Sequence, residues 1–441
     1  AAALKARAAH GPPMQTLVVE HAALPVPQLL GLRELPQGAH KKLSTACARL
    51  EAAEVRLMTA MLAENSRLES LQLTGSMIGS GAAWLADALS RRSMPLTLLH
   101  LAENNIDVAH GVALVKALRE GTPSLTELDL SANPLCGVEE GGRDDFTVAF
   151  VDALCGLLGG GGGAGAAPPL AILSLADVAL CGQARDGNGS YQTGAIALLA
   201  ATLASPGCSL RQLSIGGCKV QDDEAHDLGK GLCHNTTLER LVVDRTALAV
   251  QTLSGGERLA LAGVDFSEVD ATVMAQLLLH NTRLTSVDVS GTRALPRELK
   301  ILSDAFARCR FPLREISVAG RCLGLEGSAA LLDALKECPL EALDLTGNEV
   351  CGIKASGTEP FASYVLRLVC ELVRRPGGKG LRRLKLKGNH LLGNDVYTSE
   401  GVSIVVAALT DPNCRLEELH LGLTNKGSGL RDEDGLALGV A

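Results

Sequence analysis

One cadence is written eleven times along the 441-residue chain: an apolar residue, two variable ones, an apolar residue, one variable, and a third apolar residue. LESLQLTGSMI (68–78), LTELDLSANPL (125–135), LEALDLTGNEV (340–350) and LRRLKLKGNHL (381–391) are four of the copies. Their first position is Leu68, Leu96, Leu125, Leu170, Leu210, Leu238, Leu284, Leu313, Leu340, Leu381 or Leu416, and the fourth and sixth are Leu, Ile or Val throughout. Alternation with a period of two about the fourth and sixth positions is that of a short strand with one face buried. So short a segment cannot hide its apolar edge alone. Stacked on identical neighbours it can, so the cadence specifies a solenoid.

The ninth position carries Asn104, Asn133, Asn348 and Asn389, or Cys218, Thr246, Thr292 and Thr424. A short polar side chain there can satisfy backbone groups where the chain turns out of the strand. Val178 and Arg321 break that pattern, so their turns are expected to be irregular. Between strands lie segments with apolar residues at i, i+3, i+4 and i+7: GAAWLADALSRR (81–92), GVALVKALREG (111–121), EVDATVMAQLLLHNT (268–282) and GSAALLDALKEC (327–338). Each reads as a helix with one buried stripe. The fold class expected is α/β, a solenoid with a parallel β-sheet on its concave face and helices on its convex face.

Strand, loop and helix in 28 or 29 residues (Leu68 to Leu96 to Leu125) resembles the ribonuclease-inhibitor-like leucine-rich repeat. That family includes the C-terminal arrays of NOD-like receptors and Ran GTPase-activating proteins. The resemblance covers nearly the whole chain. It implies a horseshoe and a protein-binding role, and it leaves the function open because one fold hosts many functions.

A longer period overlies the short one. From Leu68 the strand starts step by 28, 29, 45 and 40 residues, and from Leu284 by 29, 27, 41 and 35. The long steps hold matching insertions in which Cys136, Phe146 and Cys155 correspond to Cys351, Phe361 and Cys370. TLVVEHAALPVPQLLG (16–31) likewise matches RLVVDRTALAVQTLSG (240–255), and Met58 and Asn65 fall opposite Met274 and Asn281. The chain reads as a tandem duplication, 1–232 and 233–441, within one continuous solenoid. Weaker strands are expected at 14–19, 43–45 and 259–264, giving about 14 rungs. The stub after LEELHLGL (416–423) suggests a piece of a longer array.

Composition narrows the function. Net charge is −8 with a pI near 5.7, giving no basic field for nucleic acid or an anionic membrane, and no apolar run is long enough for a membrane span. The thirteen scattered cysteines form no CxxC pair and read as reduced apolar fillers of a cytoplasmic protein. Two sequons, at Asn188 and Asn235, are read as chance triplets. LSGGER (253–258) resembles the signature loop of ATP-binding cassette ATPases, but no GxxxxGK[ST] phosphate cradle accompanies it. GLLGGGGGAGAAPP (156–169) lacks Lys, Ser and Thr and reads as a linker. The ten histidines show no metal-ligand spacing, and no catalytic set is spaced for chemistry. No cofactor, metal, nucleic acid, membrane or small-molecule substrate is expected, and the chain reads as no enzyme.

Outward strand positions form two rows, from Ser70 to Glu418 and from Gln72 to His420. Charged candidates for a protein partner are Glu127, Asp129, Arg240, Asp288, Glu315, Asp344, Arg383, Lys385, Lys387, Glu418 and His420. Their mixed signs favour complementarity with a protein, and Arg383, Lys385 and Lys387 read as a basic cluster for an acidic one. Insertions at 136–146, 181–191, 351–361 and 392–400 all leave the same edge and are expected to contribute. The leading expectation is a non-enzymatic interaction scaffold. The alternatives are a regulator of a small GTPase, implied by the Ran-related resemblance, and a spacer subunit of a large cytoskeletal or flagellar assembly.

Overall fold

The computed structural model describes residues 16–19, 22–25, 42–44, 438 and 49–422, apart from 64, 92–93, 143, 160–167, 293–295, 309–311, 321–322, 354–360 and 394–395. Two compact units emerge, Ala1–Val250 and Gln251–Ala441.

In the first unit the strands are β1 (Thr16–Val19), β2 (Ala22–Pro25), β3 (Lys42–Ser44), β4 (Ser70–Gln72), β5 (Leu98–His100), β6 (Glu127–Asp129), β7 (Ile172–Ser174), β8 (Gln212–Ser214), β9 (Arg240–Val242) and β10 (Ala247–Ala249). From β3 to β9 every strand pairs in parallel with the next, and β10 closes the sheet antiparallel to β9. Helices α1 (Ala52–Leu62), α2 (Ala82–Ser90), α3 (Val108–Gly121), α4 (Ala149–Leu158), α5 (Ala195–Leu203) and α6 (Asp222–Leu232) supply the crossovers a parallel sheet needs.

A short helix, α7 (Val250–Gly255), contains the LSG of LSGGER and precedes β11 (Arg258–Ala260). The second unit continues with α8 (Glu268–Leu278), β12 (Ser286–Asp288), α9 (Pro296–Arg308), β13 (Glu315–Ser317), α10 (Gly324–Leu335), β14 (Ala342–Asp344), α11 (Tyr364–Val373), β15 (Arg383–Lys385), α12 (Glu400–Leu409) and β16 (Glu418–His420). Its six strands are all parallel and in sequence order. Each unit is a leucine-rich-repeat solenoid, and the four helices expected from periodicity are α2, α3, α8 and α10.

Two expectations about strands change. Of the strand expected at 14–19, residues 14 and 15 lie outside the described residues, and Thr16–Val19 pairs antiparallel with Ala22–Pro25 in a separate sheet instead of adding a rung. Only residues 20 and 21 separate the two strands, which suffices for a hairpin and is far too short for a parallel crossover. The parallel rungs among the described residues are therefore thirteen, β3–β9 and β11–β16. The sheet is also not continuous: β9 is followed by antiparallel β10, and β12 stacks on β11. The outward rows run unbroken only within each unit.

Ten of the eleven cadence copies bury all three apolar positions to 2% exposure or less. The asparagines then tie rung to rung. Asn133, 2% exposed, accepts the amides of Asn104 and Ile106 at 3.0 Å each and donates to the carbonyls of Leu101, Leu130 and Ser131. Asn104 does the same toward Ser76, Ile78 and Leu73, and Asn389 toward Asn348, Val350 and Leu345. Each side chain reaches back one rung, so the turn that leaves one strand is held by the next. Thr292 fills the same position without such bonds, its buried hydroxyl having no hydrogen-bond partner.

A second set of asparagines guards the entry to the strand. Asn65, Asn235 and Asn281 each lie three residues before a rung leucine and accept its amide, at 3.1, 2.6 and 3.0 Å. On the helical side Gly121 lets α3 lie close on α2, since a Cβ there would come within 1.8 Å of the Leu89 carbonyl oxygen.

Replacement of Asn133 by Ala leaves two buried amides and three carbonyls short of a partner and should destabilise the first unit by about 3 kcal/mol in urea unfolding. Thr292→Ala should cost less than about 1 kcal/mol, and equal losses would remove the asparagine ladder from the account. Burial also pushes the thiols of Cys218 and Cys370 up to about 11 and that of Cys351 up to about 12. All three should stay protonated and resist iodoacetamide at pH 8–9 in the folded protein, becoming reactive only on unfolding, as peptide mapping would report.

Candidate protein-interaction face

The face of each sheet turned away from the helices presents the first and third residue of every rung, because the middle residue points inward. In the second unit strand pairing sets Ser286, Glu315, Ala342, Arg383 and Glu418 in one row and Asp288, Ser317, Asp344, Lys385 and His420 in the next. Seven of the eleven candidate residues thus share one face: Asp288, Glu315, Asp344, Arg383, Lys385, Glu418 and His420. They line or adjoin a shallow depression of about 450 Å3.

Two cations on this face are paired across strands. Arg383 crosses over the small Ala342 to reach Glu315, two strands away. Lys385 lies 3.5 Å from Asp344, and the His420 Nε2 lies 2.7 Å from the Glu418 Oε1. The basic cluster read from sequence is therefore a zwitterionic lattice. Lys387 sits in the turn after β15 with its carbonyl accepting the Gly347 amide at 2.8 Å, and among the described residues its ammonium has no ion pair.

The aspartates carry a local duty as well. Asp129 accepts the Ser131 amide, Asp288 the Ser290 amide and Asp344 the Thr346 amide, at 3.0, 2.9 and 3.0 Å. The signal was present as Asp followed two residues later by Ser or Thr, which favours a side-chain-to-backbone turn.

Glu127, Asp129 and Arg240 belong to the first unit. There the Glu127 Oε1 lies 2.8 Å from the His100 Nε2, and Ser131 links Asp129 to Ser174 on the next rung. Leu98, Ile172, Gln212 and Ser214 are neutral positions of that face, which also carries Lys42, Asp129 and Arg240.

Two insertions of the first unit are locked together. The Asn188 Nδ2 donates to the Glu139 carbonyl at 2.7 Å, the Gly141 amide donates to Asp186 at 2.7 Å, and Val138, Ala179 and Ala184 form a small core beneath them. With the turn at 103–105 they enclose a groove of about 510 Å3 rimmed by Glu103, Glu139, Glu140, Asp177 and Arg185. Both sequon amides are engaged internally, that of Asn235 donating to the Leu203 carbonyl at 2.6 Å. Of the second unit's insertions, 354–360 and 394–395 lie outside the described residues. Among the described residues ten cysteines are free thiols, no group of His, Cys, Asp or Glu is arranged to hold a metal, and no helix is long and apolar enough to cross a membrane.

No protein-family model matches the chain. NACHT, LRR and PYD domains-containing protein 14 of Mus musculus is 27% identical over 252 residues, a match covering 52% of this chain and 25% of that protein. The ribonuclease inhibitor of Sus scrofa is 28% identical over 212 residues, covering 47% of this chain and 38% of the inhibitor. The chain thus spans well under two thirds of the length of these relatives. The leucine-rich-repeat protein LegL7 from Legionella pneumophila aligns over 80% of this chain and 92% of its own at 16% identity, with a TM-score of 0.26. The rungs and parallel sheets make this a chain of leucine-rich repeats, similar in sequence to the repeats of the ribonuclease inhibitor and of the NACHT, LRR and PYD protein. Its repeats are of the ribonuclease-inhibitor-like kind.

Exposed ion pairs on such a face contribute little. A double-mutant cycle on Asp344 and Lys385 should give a coupling below about 1 kcal/mol. A coupling several times larger would make the pair a structural staple.

Proposed function

We propose that the chain is a non-enzymatic scaffold that binds a protein partner through the outward sheet face and the strand-to-helix insertion loops. The observation that carries this reading is the zwitterionic lattice of the second unit. Alternating carboxylates and cations on a rigid sheet offer a partner a fixed charge pattern, and pairs worth so little can be exchanged for intermolecular ones. The locked insertions at 136–146 and 181–191 support the same reading, because a pre-ordered loop loses little entropy on binding. Free thiols in the ten described cysteines support a reducing compartment such as the cytoplasm.

A photo-crosslinking side chain placed singly at Gln212, Ser317 or Ser403 tests the proposal in the native extract. Gln212 and Ser317 lie on the sheet faces, and Ser403 is exposed on α12. Adducts are expected from the first two positions and not from Ser403. Capture of the same protein from Ser403 alone would move the binding surface to the helices and overturn the reading.

A further inference from the structure

Helices α9 and α10 of the second unit leave a space between them. An apolar cavity of about 250 Å3 lies there, with Val289 and Val318 at its floor, Leu302 and Phe306 on α9, and Leu331 on α10. These five side chains are at most 3% exposed, whereas Lys300 and Glu326, which also line it, are exposed and mark its mouth.

The space has its origin in small residues. Val289 and Val318 fill the sixth cadence position of successive rungs, where the rungs that start at Leu68 and Leu96 place Leu73 and Leu101. Gly327 lines the cavity from α10, and the residue at the same distance past its rung leucine in the Leu96 rung is His110. Each of these differences removes side-chain volume from one layer, and a packed core relaxes only partly around such a loss. A dry cavity of roughly 150 Å3 with an aliphatic and aromatic lining already admits a benzene-sized molecule.

Charge at the mouth selects the head group. The Lys300 ammonium is taken by Asp304, at 3.0 Å. The Glu326 carboxylate has no ion pair among the described residues, so one negative charge at the mouth stands unmatched. The layer beneath is short of donors as well. Glu298, next to Leu299 on α9, is 6% exposed and its Oε2 has no hydrogen-bond partner, and the same holds for the Oγ of buried Ser328 beside Gly327. Buried polar atoms are normally met.

We propose that the cleft between α9 and α10 binds a small apolar amine, with a hydrocarbon group of about eight carbons in the cavity and its ammonium on Glu326. The hydrocarbon supplies the contacts that the cavity walls lack, and the ammonium supplies the missing counter-ion. The site lies among the helices and uses neither the outward sheet face nor the insertions, so it is independent of the partner reading.

Isothermal titration calorimetry of the full chain with 2-phenylethylamine tests it. One site per chain is expected, with 2-phenylethanol bound about three- to fivefold more weakly, the factor an exposed ion pair contributes, and phenylacetate more weakly still. Glu326→Gln should bring the amine and the alcohol level. Val318→Leu, which installs the side chain found at Leu101, should abolish amine binding without lowering the melting temperature, because it fills a void. Should that variant melt early, Gly327→Ala narrows the cavity from the other side, its added Cβ approaching the Leu323 Cβ to 3.3 Å. The methyl resonances of Val289, Leu302 and Leu331 should shift as amine is added, a readout that needs no variant. Methyl resonances of the native chain that stay fixed at millimolar amine overturn the proposal. Equal affinities of the native chain for amine, alcohol and acid, or undiminished binding by a folded cavity-filling variant, also overturn it. Methyl shifts that grow with protein concentration in the absence of amine would place a side chain of a second copy in the cleft, and they too overturn it.

Discussion

The turns after β4, β5 and β14 direct backbone amides inward, and the structure depends on giving those amides partners. Water cannot reach them once the neighbouring rung is in place, and an unmet amide costs about as much as the burial of a small apolar side chain contributes. Asn104, Asn133 and Asn389 solve this by reaching back to the preceding turn. One side chain serves two rungs at once, so the apolar stack and the polar ladder demand the same spacing. Leucines alone would tolerate a slip along the stack. An amide that must meet two N–H groups and two or three carbonyls would not.

Much of this was legible in the sequence, because burial and turn chemistry act through residues close together in the chain. The three apolar positions, the ninth-position asparagines and the helical stripes of 81–92 and 268–282 are local patterns. The rows of outward residues followed from the period of two, and within each unit the pairing matches them. The pattern failed where pairing direction mattered. LVV at 17–19 has the composition of a rung strand, yet its neighbour 22–25 is near enough to fold back on it. Parallel stacking needs a crossover helix, which no apolar alternation reports. β10, hidden in the same way, interrupts the rows between Arg240 and Ser286. The entry asparagines also escaped notice as a class, since Asn65 and Asn281 look like any helix-terminal residue until their amide partners at 68 and 284 are seen.

Charge pairing was the least legible feature. Arg383, Lys385 and Lys387 lie close in sequence and read as a basic patch, but a solenoid places their nearest neighbours tens of residues away. Glu315, which receives Arg383, is 68 residues distant, and the pair forms because Ala342 between them is too small to obstruct it. A larger side chain at 342 would have left the same charges as separate patches. The face differs in kind from the asparagine ladder. The ladder is buried and expensive to disturb, whereas the surface pairs are hydrated on either side and contribute little to holding the fold. Stability and recognition are thereby assigned to different atoms of the same rungs, which lets the outward rows vary without loosening the stack.

Stacking by repetition also creates ends. A closed sheet has no unpaired strand, but an open one must leave two, and each exposes hydrogen-bonding groups beside an apolar layer. The sheet of the first unit is closed by β10, an antiparallel strand whose short connection to β9 brings no helix and offers no further parallel register. In the second unit β16 is the last described strand, and its leucines are partly uncovered. If a hairpin is the device that halts a stack, its recurrence at 16–25 and 240–249 marks where one copy of the long repeat yields to the next. The strand that halts one stack by folding back is also the strand that completes the preceding one, as β9 does for β8.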